Sequence, residues 1–260
     1  MQSSEIRKFF HKLSELAAAE TLPFFRNPNA IDNKLDAGFD PVTEADRAAE
    51  LALRNTIMER WPDHGIIGEE FEPHLPDAEY RWIIDPIDGT RAFISGLPLW
   101  GTLVALYHGD LPLAGMMAQP FTGEVFVATG GESLLLHRGQ GEKLTTAAIT
   151  TLQDATLLAT APEIFLPDEY AAFTRLGKQC KMTRYGTDCY AYCLVAAGHV
   201  DLVCEAGLKF FDIAALIPII ENAGGIVTDW AGNRYPQGGQ VLASANVDIH
   251  HRALDILNQQ

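Results

Sequence analysis

Apolar positions near the start of the chain recur at the spacing of an α-helix. The first stripe predicts an amphipathic helix over residues 4–25, and its members are Ile6, Phe9, Phe10, Leu13, Leu16 and Ala17. Residues 27–42 are rich in Asn, Asp, Gly and Pro, which is typical of a loop. A second helix is expected to begin after Thr43 and to end near Arg60, where a Trp-Pro pair stops it.

Short apolar runs then replace the helical stripes. They predict strands over residues 81–84, 103–107, 113–117, 125–128 and 134–137. The connections between these strands are short and contain Pro, Gly and Asp. We therefore expect a largely antiparallel sheet.

Further along, strands alternate with helices. The predicted strands are 156–160, 182–185, 200–204, 226–228 and 241–243. The predicted helices are 168–177, 189–197, 212–223 and a last one from an Asn246 cap to about Leu257. This pattern indicates two packed α/β halves, residues 1–145 and residues 146–260.

The chain is acidic, which restricts what it can bind. Among 260 residues, 34 are Asp or Glu and 19 are Lys or Arg, so the formal net charge is −15. Sequence-independent nucleic-acid binding needs basic patches, and we therefore expect no nucleic-acid partner. Bound cations would allow such a chain to hold an anion, because they invert the local charge.

No apolar run is long enough to span a membrane, and the first residues lack the apolar core of a signal peptide. We therefore expect a cytoplasmic protein with no membrane contact. The four cysteines lie in one stretch without a CxxC pair and are interpreted as buried free thiols. A metal contact by Cys189 and Cys193 is the alternative.

The clearest chemical signal is the segment Asp85-Pro86-Ile87-Asp88-Gly89-Thr90, which follows a predicted buried strand. Pro86 forces an extended or turning backbone, so both carboxylates can reach the same point. Carboxylate oxygens suit Mg²⁺, and the N–H groups of a helix start at Gly89 would suit phosphate. An ordinary Asp-rich turn is the alternative interpretation.

Three further acids each have a plain structural alternative. Glu69 follows an apolar pair and could form an exposed surface pair with Glu70. Asp46 could simply complete the first turn of a helix, where a negative charge is favourable. Asp212 opens a predicted apolar helix and could be an N-cap.

Together these motifs resemble the inositol monophosphatase family. The resemblance covers about residues 5–257 and rests on the order and spacing of Val42-Thr43-x-x-Asp46, Gly68-Glu69-Glu70, Asp85–Thr90, Asp212-x-Ala-Ala and Ala223-Gly224-Gly225. It implies an α/β fold, the layered αβαβα sandwich of the inositol monophosphatase and fructose-bisphosphatase type, which is commonly a homodimer. Phe211 stands where the family usually has Trp, and we interpret it as a packing aromatic.

The resemblance also implies roles for single residues. The ligands of two or three Mg²⁺ ions would be Glu69, Asp85, Asp88, Asp212 and the Ile87 carbonyl. The phosphate would be bound by Asp88, Gly89 and Thr90, and the catalytic residues would be Asp46, Glu69 and Thr90. We expect hydrolysis by direct attack of metal-activated water, with no phosphorylated enzyme.

Two stretches, residues 88–102 and 186–192, are similar to the histidinol-phosphatase branch of this family. Histidinol phosphate carries an amine and an imidazole beside its phosphate, and a cation needs a carboxylate partner. Asp188 and Glu205 are the predicted recognition acids, and Arg91 is a predicted substrate contact. Asp188 could instead be an N-cap, and Arg91 a surface residue. We predict hydrolysis of histidinol phosphate, a small phosphorylated metabolite of histidine biosynthesis.

Other functions stay open at this point. A myo-inositol-1-phosphate or broad sugar-phosphate phosphatase would use the same acids. A sulfonucleotide phosphatase would need basic residues for a second phosphate, for which Lys34 and Lys209 are the candidates. A regulatory module that binds metal or phosphate without catalysis is the non-enzyme alternative.

Overall fold

The computed structural model of the chain describes residues 2–27, 31–33 and 41–259. Its helices are α1 (Ser3–Thr21), α2 (Glu44–Arg60), α3 (Thr90–Ile94), α4 (Pro167–Gly177), α5 (Asp188–Ala196), α6 (Phe210–Ile213), α7 (Leu216–Glu221) and α8 (Val247–Leu257). Its strands are β1 (Ile31–Asn33), β2 (Pro41–Thr43), β3 (Gly65–Gly68), β4 (Tyr80–Asp88), β5 (Gly101–His108), β6 (Leu111–Gln119), β7 (Glu124–Thr129), β8 (Glu132–His137), β9 (Gln140–Lys143), β10 (Thr156–Ala159), β11 (Met182–Tyr185), β12 (Leu202–Leu208), β13 (Ile226–Thr228) and β14 (Gly239–Ser244).

The segment predicted as a loop over residues 27–42 contains two short strands. β1 and β2 pair antiparallel, with Ile31 opposite Thr43 in the register. Residues 28–30 and 34–40 lie outside the described part of the chain, and the candidate phosphate contact Lys34 is among them.

The first large sheet has seven strands in the order β3-β4-β5-β6-β7-β8-β9. Every neighbouring pair is antiparallel except β3 and β4, which confirms the prediction of a largely antiparallel sheet. The apolar pattern did not predict β3 or β9. β9 pairs with β8 through its backbone while its residues are exposed, so it leaves no apolar signal.

The two faces of this sheet pack against different layers, because successive side chains of a strand point to opposite faces. On one face, Trp82 of β4 packs with Phe10 of α1 and Leu53 of α2. On the other face, the neighbouring Ile83 packs in a second core that includes Leu157 of β10. The first two predicted helices therefore form an outer layer.

The second sheet has five strands in the order β11-β10-β12-β14-β13. β10 runs parallel to β11 and β12, whereas β14 is antiparallel to both of its neighbours. Helices α5 and α7 lie between the sheets, since each contacts β6 of the first sheet and a strand of the second. Helices α4 and α8 pack together beyond the second sheet. These layers form an αβαβα sandwich, which confirms the predicted fold class.

The predicted helix over residues 212–223 is interrupted in the structure. α6 ends at Ile213 and α7 begins at Leu216. Pro218 has no N–H and cannot donate to the carbonyl of Ala214, four residues earlier. The Tyr107 hydroxyl donates to that carbonyl instead, at 3.4 Å. The prediction of one continuous helix was wrong, and the proline was the signal that it overlooked.

One hydrophobic core joins the two sheets, with Ile83 and Phe126 from the first packed in the same cluster as Leu157 and Val203 from the second. The division into residues 1–145 and 146–260 therefore stays a prediction.

The last helix begins as expected, because the Asn246 side chain accepts hydrogen bonds from two N–H groups of α8. Among the described helices, none combines the length and apolar character that a membrane crossing requires.

Candidate active site

The end of β4 carries the two aspartates of the sequence motif. The register between β4 and β5 shifts between Asp85 and Asp88, so the chain bulges at Pro86. The Thr102 hydroxyl of β5 donates to the Pro86 carbonyl at 2.7 Å, and the Ile87 N–H donates to Asp85 Oδ1 at 3.1 Å. This fixed bulge brings the carboxylates of Asp85 and Asp88 close together.

A third aspartate reaches the same point from α6, the short helix that follows β12 of the second sheet. Asp85, Asp88 and Asp212 each place one carboxylate oxygen within 4.8 Å of those of the other two. Asp212 lies in the first turn of α6, and its Oδ2 also accepts the Lys209 N–H at 2.7 Å. The interpretation of Asp212 as an N-cap was therefore wrong, because Lys209 is the N-cap of α6 and Asp212 lies three residues further on, where its carboxylate accepts the N–H of that cap residue and still reaches the cluster.

Two more predicted acids border this cluster. Glu69 follows β3, whose Gly68 lies opposite Ile84 in the parallel register with β4. It lines the same cavity of about 300 Å³ as the three aspartates, and its Oε1 lies 3.7 Å from Lys209 Nζ. Asp46, in the first turn of α2, is 1% exposed. Neither acid is a solvated surface residue.

Burial and repulsion between neighbouring carboxylates raise the pKa values of Asp85 and Asp212. Burial raises the pKa of Asp85 well above its ordinary value, and the charges of Glu69, Asp88, Asp212 and Asp46 raise it further. Burial also raises the pKa of Asp212 to about 6. Such a set of buried acids is unfavourable without a compensating positive charge, and its all-oxygen donors are those that Mg²⁺ prefers. The residues present therefore fit a divalent cation site.

Beside the acids, the chain turns into the short helix α3. Gly89 has a φ of 82°, and a Cβ there would lie 3.1 Å from the Cβ of Asp188 and 3.2 Å from the Cα of Trp100. Only glycine suits that conformation and that space. The Thr90 hydroxyl donates to the Ile87 carbonyl at 3.1 Å. The first N–H groups of a helix have no partner within it, so this corner can receive an anion.

The start of α5 borders another side of the cavity. The Cys189 N–H donates to Asp88 Oδ2 at 2.7 Å. Asp188, with a left-handed φ of 40°, lines the cavity next to Gly89. Burial, followed by the charge of Glu205, raises the pKa of Asp188 to about 7, whereas the Thr160 hydrogen bond and the Arg91 charge oppose that rise.

Glu205 takes a different position from the one its prediction assumed. Its side chain is buried, with 1% exposure, and does not line the cavity. Oε1 accepts the Thr160 N–H at 2.7 Å, and Oε2 accepts the Tyr192 hydroxyl at 2.8 Å. Its role in substrate binding stays a prediction, and this geometry favours an indirect one through Thr160.

Sequence reasoning missed Thr160 and gave Lys209 a place only as a second-phosphate contact, although both line the cavity. Thr160 directly follows β10, which runs parallel to β12. The carboxyl ends of parallel strands gather binding residues, and this was the available signal. The cysteines behave as expected, since Cys189, Cys193 and Cys204 are buried and all four are free thiols.

Comparison with known proteins identifies the family to which this fold belongs. The model of the inositol monophosphatase family matches residues 2–260. The chain belongs to the inositol monophosphatase family. The resemblance seen in the sequence is thereby confirmed, and the acid cluster agrees with the metal dependence of this family of phosphatases.

Relatives within the family carry different names. The chain is 40% identical to the bifunctional phosphatase IMPL2 of Arabidopsis thaliana, over 90% of this chain and 69% of that protein. It is 37% identical to a histidinol-phosphatase of Chlorobaculum parvum, over 90% of each chain. The solved structure of an inositol monophosphatase from Zymomonas mobilis covers 100% of both chains, with a TM-score of 0.89 and 38% identity. The chain is thus a phosphatase of this family, and its substrate has to be argued from the site.

Proposed function

We propose that this family member is a Mg²⁺-dependent phosphomonoesterase that hydrolyses histidinol phosphate to histidinol and phosphate. The observation that carries the proposal is a single cavity with acids at two places. One group, Asp85, Asp88 and Asp212, lies beside the anion corner, and Asp188 lies beyond that corner. Similarity to a histidinol-phosphatase supports this choice. A cytoplasmic homodimer in histidine biosynthesis remains part of the proposal.

The first group of acids is proposed to bind two or three metal ions. Their ligands would be Glu69, Asp85, Asp88, Asp212 and the Ile87 carbonyl. Bound Mg²⁺ would supply positive charge to the phosphoryl oxygens and lower the pKa of the attacking water. Asp88 would act on the phosphate through a bound cation, and the N–H groups of Gly89 and Thr90 would donate to the phosphate oxygens directly.

Residues around that corner are proposed to orient the attacking water and to accept its proton. The Thr90 hydroxyl donates a hydrogen bond to the Ile87 carbonyl at 3.1 Å, so its oxygen is left to accept a hydrogen bond from the attacking water. One carboxylate oxygen, of Glu69 or of Asp46, would take up the single proton that this water releases. The raised pKa of Asp85 reflects how close both acids lie to the cluster.

The far part of the cavity is proposed to recognise the organic part of the substrate. An ionised Asp188 would pair with the ammonium group of histidinol phosphate, and a charge-assisted hydrogen bond is among the stronger polar contacts. Arg91 follows Thr90 and lines the same cavity, where it would border the substrate. Inositol phosphate has only neutral hydroxyls in this position and would gain less from Asp188.

Hydrolysis of myo-inositol-1-phosphate or of several sugar phosphates is the second candidate. The Zymomonas mobilis inositol monophosphatase, at 38% identity over the whole chain, favours it. The deciding experiment measures kcat/KM under Mg²⁺ for histidinol phosphate, myo-inositol-1-phosphate and adenosine 3′,5′-bisphosphate. A clear preference for histidinol phosphate supports the proposal, and a preference for either other substrate replaces it. Absence of Mg²⁺-dependent phosphate release from all three would favour a non-catalytic role.

A further inference from the structure

The loop that carries Glu69 needs an external support. It follows β3, an edge strand of the first sheet that pairs only with β4 among the described strands. On its open edge, where a strand lacks a sheet neighbour, Ile66 of β3 exchanges two backbone hydrogen bonds with His74 at the far end of the loop, at 2.7 and 2.8 Å. Residues 69–73 between them belong to no described strand. Yet Glu69 has to line the same cavity as Asp85 and Asp212.

Helix α2 supplies that support through one buried face. Asp46, Glu50 and Arg54 follow one another at intervals of four residues, which places them on the same face of the helix. They are 1%, 0% and 6% exposed, respectively. Three consecutive charged positions on a buried helix face are unusual, since buried charges are unfavourable unless they are paired and hydrogen-bonded.

Glu50 contacts the loop on both sides of Glu69. Its Oε2 accepts the Glu70 N–H at 2.7 Å. On the other side of Glu69, a Cβ at Gly68 would lie 2.1 Å from Glu50 Oε1, so the glycine is needed for the carboxylate to approach the backbone. The buried carboxylate therefore hydrogen-bonds the backbone directly after Glu69 and packs closely against the backbone directly before it.

Arg54 extends the same contact further along the loop. Its Nε donates to Glu50 Oε1 at 2.6 Å, and its two terminal nitrogens donate to the carbonyls of Phe71 at 2.9 Å and Glu72 at 3.1 Å. The planar guanidinium makes these three hydrogen bonds at once, which a lysine ammonium on its flexible stem could not reproduce in the same geometry.

We propose that Glu50 and Arg54 are positioning residues that fix the Glu69 loop and thereby set the affinity of the site for its divalent cation. Neither side chain lines the cavity, so both act through Glu69. A buried ion pair is weak evidence for a purely stabilising role, because well-packed apolar residues often stabilise as well or better. The hydrogen bonds to the loop are what apolar residues could not supply. The inference rests on the proposed function, in which Glu69 is a metal ligand.

The test measures Mg²⁺ binding directly by isothermal titration calorimetry on the full chain. In Glu50→Gln the amide can no longer accept hydrogen bonds from both Glu70 and Arg54. Arg54→Lys keeps the charge next to Glu50 but removes the planar fork. Substitution of residues that orient metal ligands typically weakens metal affinity by about 10- to 100-fold, and we expect a loss in this range for both variants.

Asp201→Asn is the matched control. Asp201 is 6% exposed and accepts the Thr156 N–H at 2.8 Å, so it too is a buried carboxylate that binds a backbone amide. Thr156 lies four residues before Thr160, or about 13 Å along an extended strand. This variant removes a similar bond away from the cavity and should bind Mg²⁺ like the wild type. Circular dichroism and thermal melting verify the fold of each variant.

The outcomes separate the two proposals. Failure of the wild type to bind Mg²⁺ would refute the metal site itself. Wild-type binding together with unchanged affinity in folded Glu50→Gln and Arg54→Lys would refute the positioning role alone. An equal loss in Asp201→Asn, or loss of the fold in both loop-contact variants, would show that the pair serves general stability and would also overturn the inference.

Discussion

Replacing Asp188 with asparagine tests which substrate the cavity selects. Asparagine has the same shape and tolerates the left-handed backbone found here, with a φ of 40°, but carries no charge. A hydrogen bond to a charged group contributes about 1.5–3 kcal/mol. The substitution should therefore lower kcat/KM for histidinol phosphate by about 10- to 150-fold. The value for myo-inositol-1-phosphate should change little, because that substrate has no ammonium group.

The pH dependence gives a second measure of the same residue. Burial and the charge of Glu205 raise the pKa of Asp188 to about 7, so Asp188 is mostly protonated below pH 7 and ionised above it. Only the ionised form pairs with an ammonium group. kcat/KM for histidinol phosphate should therefore rise through neutral pH, and Asp188→Asn should lose this contribution. Bound cations lower the pKa of nearby carboxyls, so higher Mg²⁺ should move the rise to lower pH.

The assay is phosphate release from both substrates at several pH values, with Asp154→Asn as the control. Asp154 is exposed and accepts a hydrogen bond from Thr151, away from the cavity lining. Titration of the substrate itself affects wild type and variant alike, so their ratio isolates Asp188. An equal loss on both substrates would place Asp188 in the shared phosphate chemistry. Undiminished histidinol phosphate turnover would remove it from recognition.

Three other predictions address the metal cluster, the attack and the fold. Asp85→Asn should raise the melting temperature of the Mg²⁺-free protein, because burial and neighbouring acids raise the pKa of Asp85 and its ionised form disfavours the folded state at pH 7. Calorimetry should also show that Mg²⁺ no longer stabilises this variant, and an unchanged response would contradict the ligand assignment. A single turnover in ¹⁸O-labelled water should place labelled oxygen in the released phosphate by mass spectrometry, whereas a phosphorylated side chain would exclude direct attack. Burial lowers the pKa of His250 to about 4, between the hydroxyls of Ser244 and Thr228. The unfolded chain therefore takes up the proton first, and stability should be complete above about pH 6.5 and fall by up to about 3 kcal/mol towards pH 4; urea unfolding would test this, and a slope that persists in His250→Gln would assign it elsewhere.

Much of the fold could be predicted because its strands bury one or both faces. The strands predicted over 103–107 and 125–128 are found within β5 and β7, whose apolar runs pack in the two cores. β9 could not be predicted from apolar periodicity, since residues 140–143 are exposed and held only by backbone pairing with β8. The break before Leu216 depends on Pro218 and on a Tyr107 contact from a distant strand, of which only the proline is visible in the sequence.

The candidate site also contains residues that the sequence could predict and residues that it could not. The turn at Pro86 predicts that Asp85 and Asp88 meet, whereas the convergence of Glu69, Asp46 and Asp212 on them could be predicted only because their motifs resemble the inositol monophosphatase family. The support of the Glu69 loop could not, because Glu50 and Arg54 at a spacing of four residues are typical of an exposed helical ion pair. Their burial follows only from the packing of α2 against the first sheet. Glu205 is the opposite case. It was predicted to contact the substrate, but its side chain is buried and accepts a hydrogen bond from the Thr160 N–H.

The arrangement of the site couples metal binding to the packing of the two sheets. Asp85 and Asp88 end a strand of the first sheet, whereas the Cys189 N–H that holds Asp88 comes from α5 between the sheets, and Asp212 comes from α6, which follows a strand of the second sheet. Burial, and then the charges of neighbouring acids, raise the pKa of Asp85 and Asp88, so assembling the cluster opposes folding until a positive charge joins it. In the proposed function Mg²⁺ removes this opposition and stabilises only the assembled state. Without a bound cation, burial of the shared apolar core, which includes Ile83 and Val203, has to offset this repulsion.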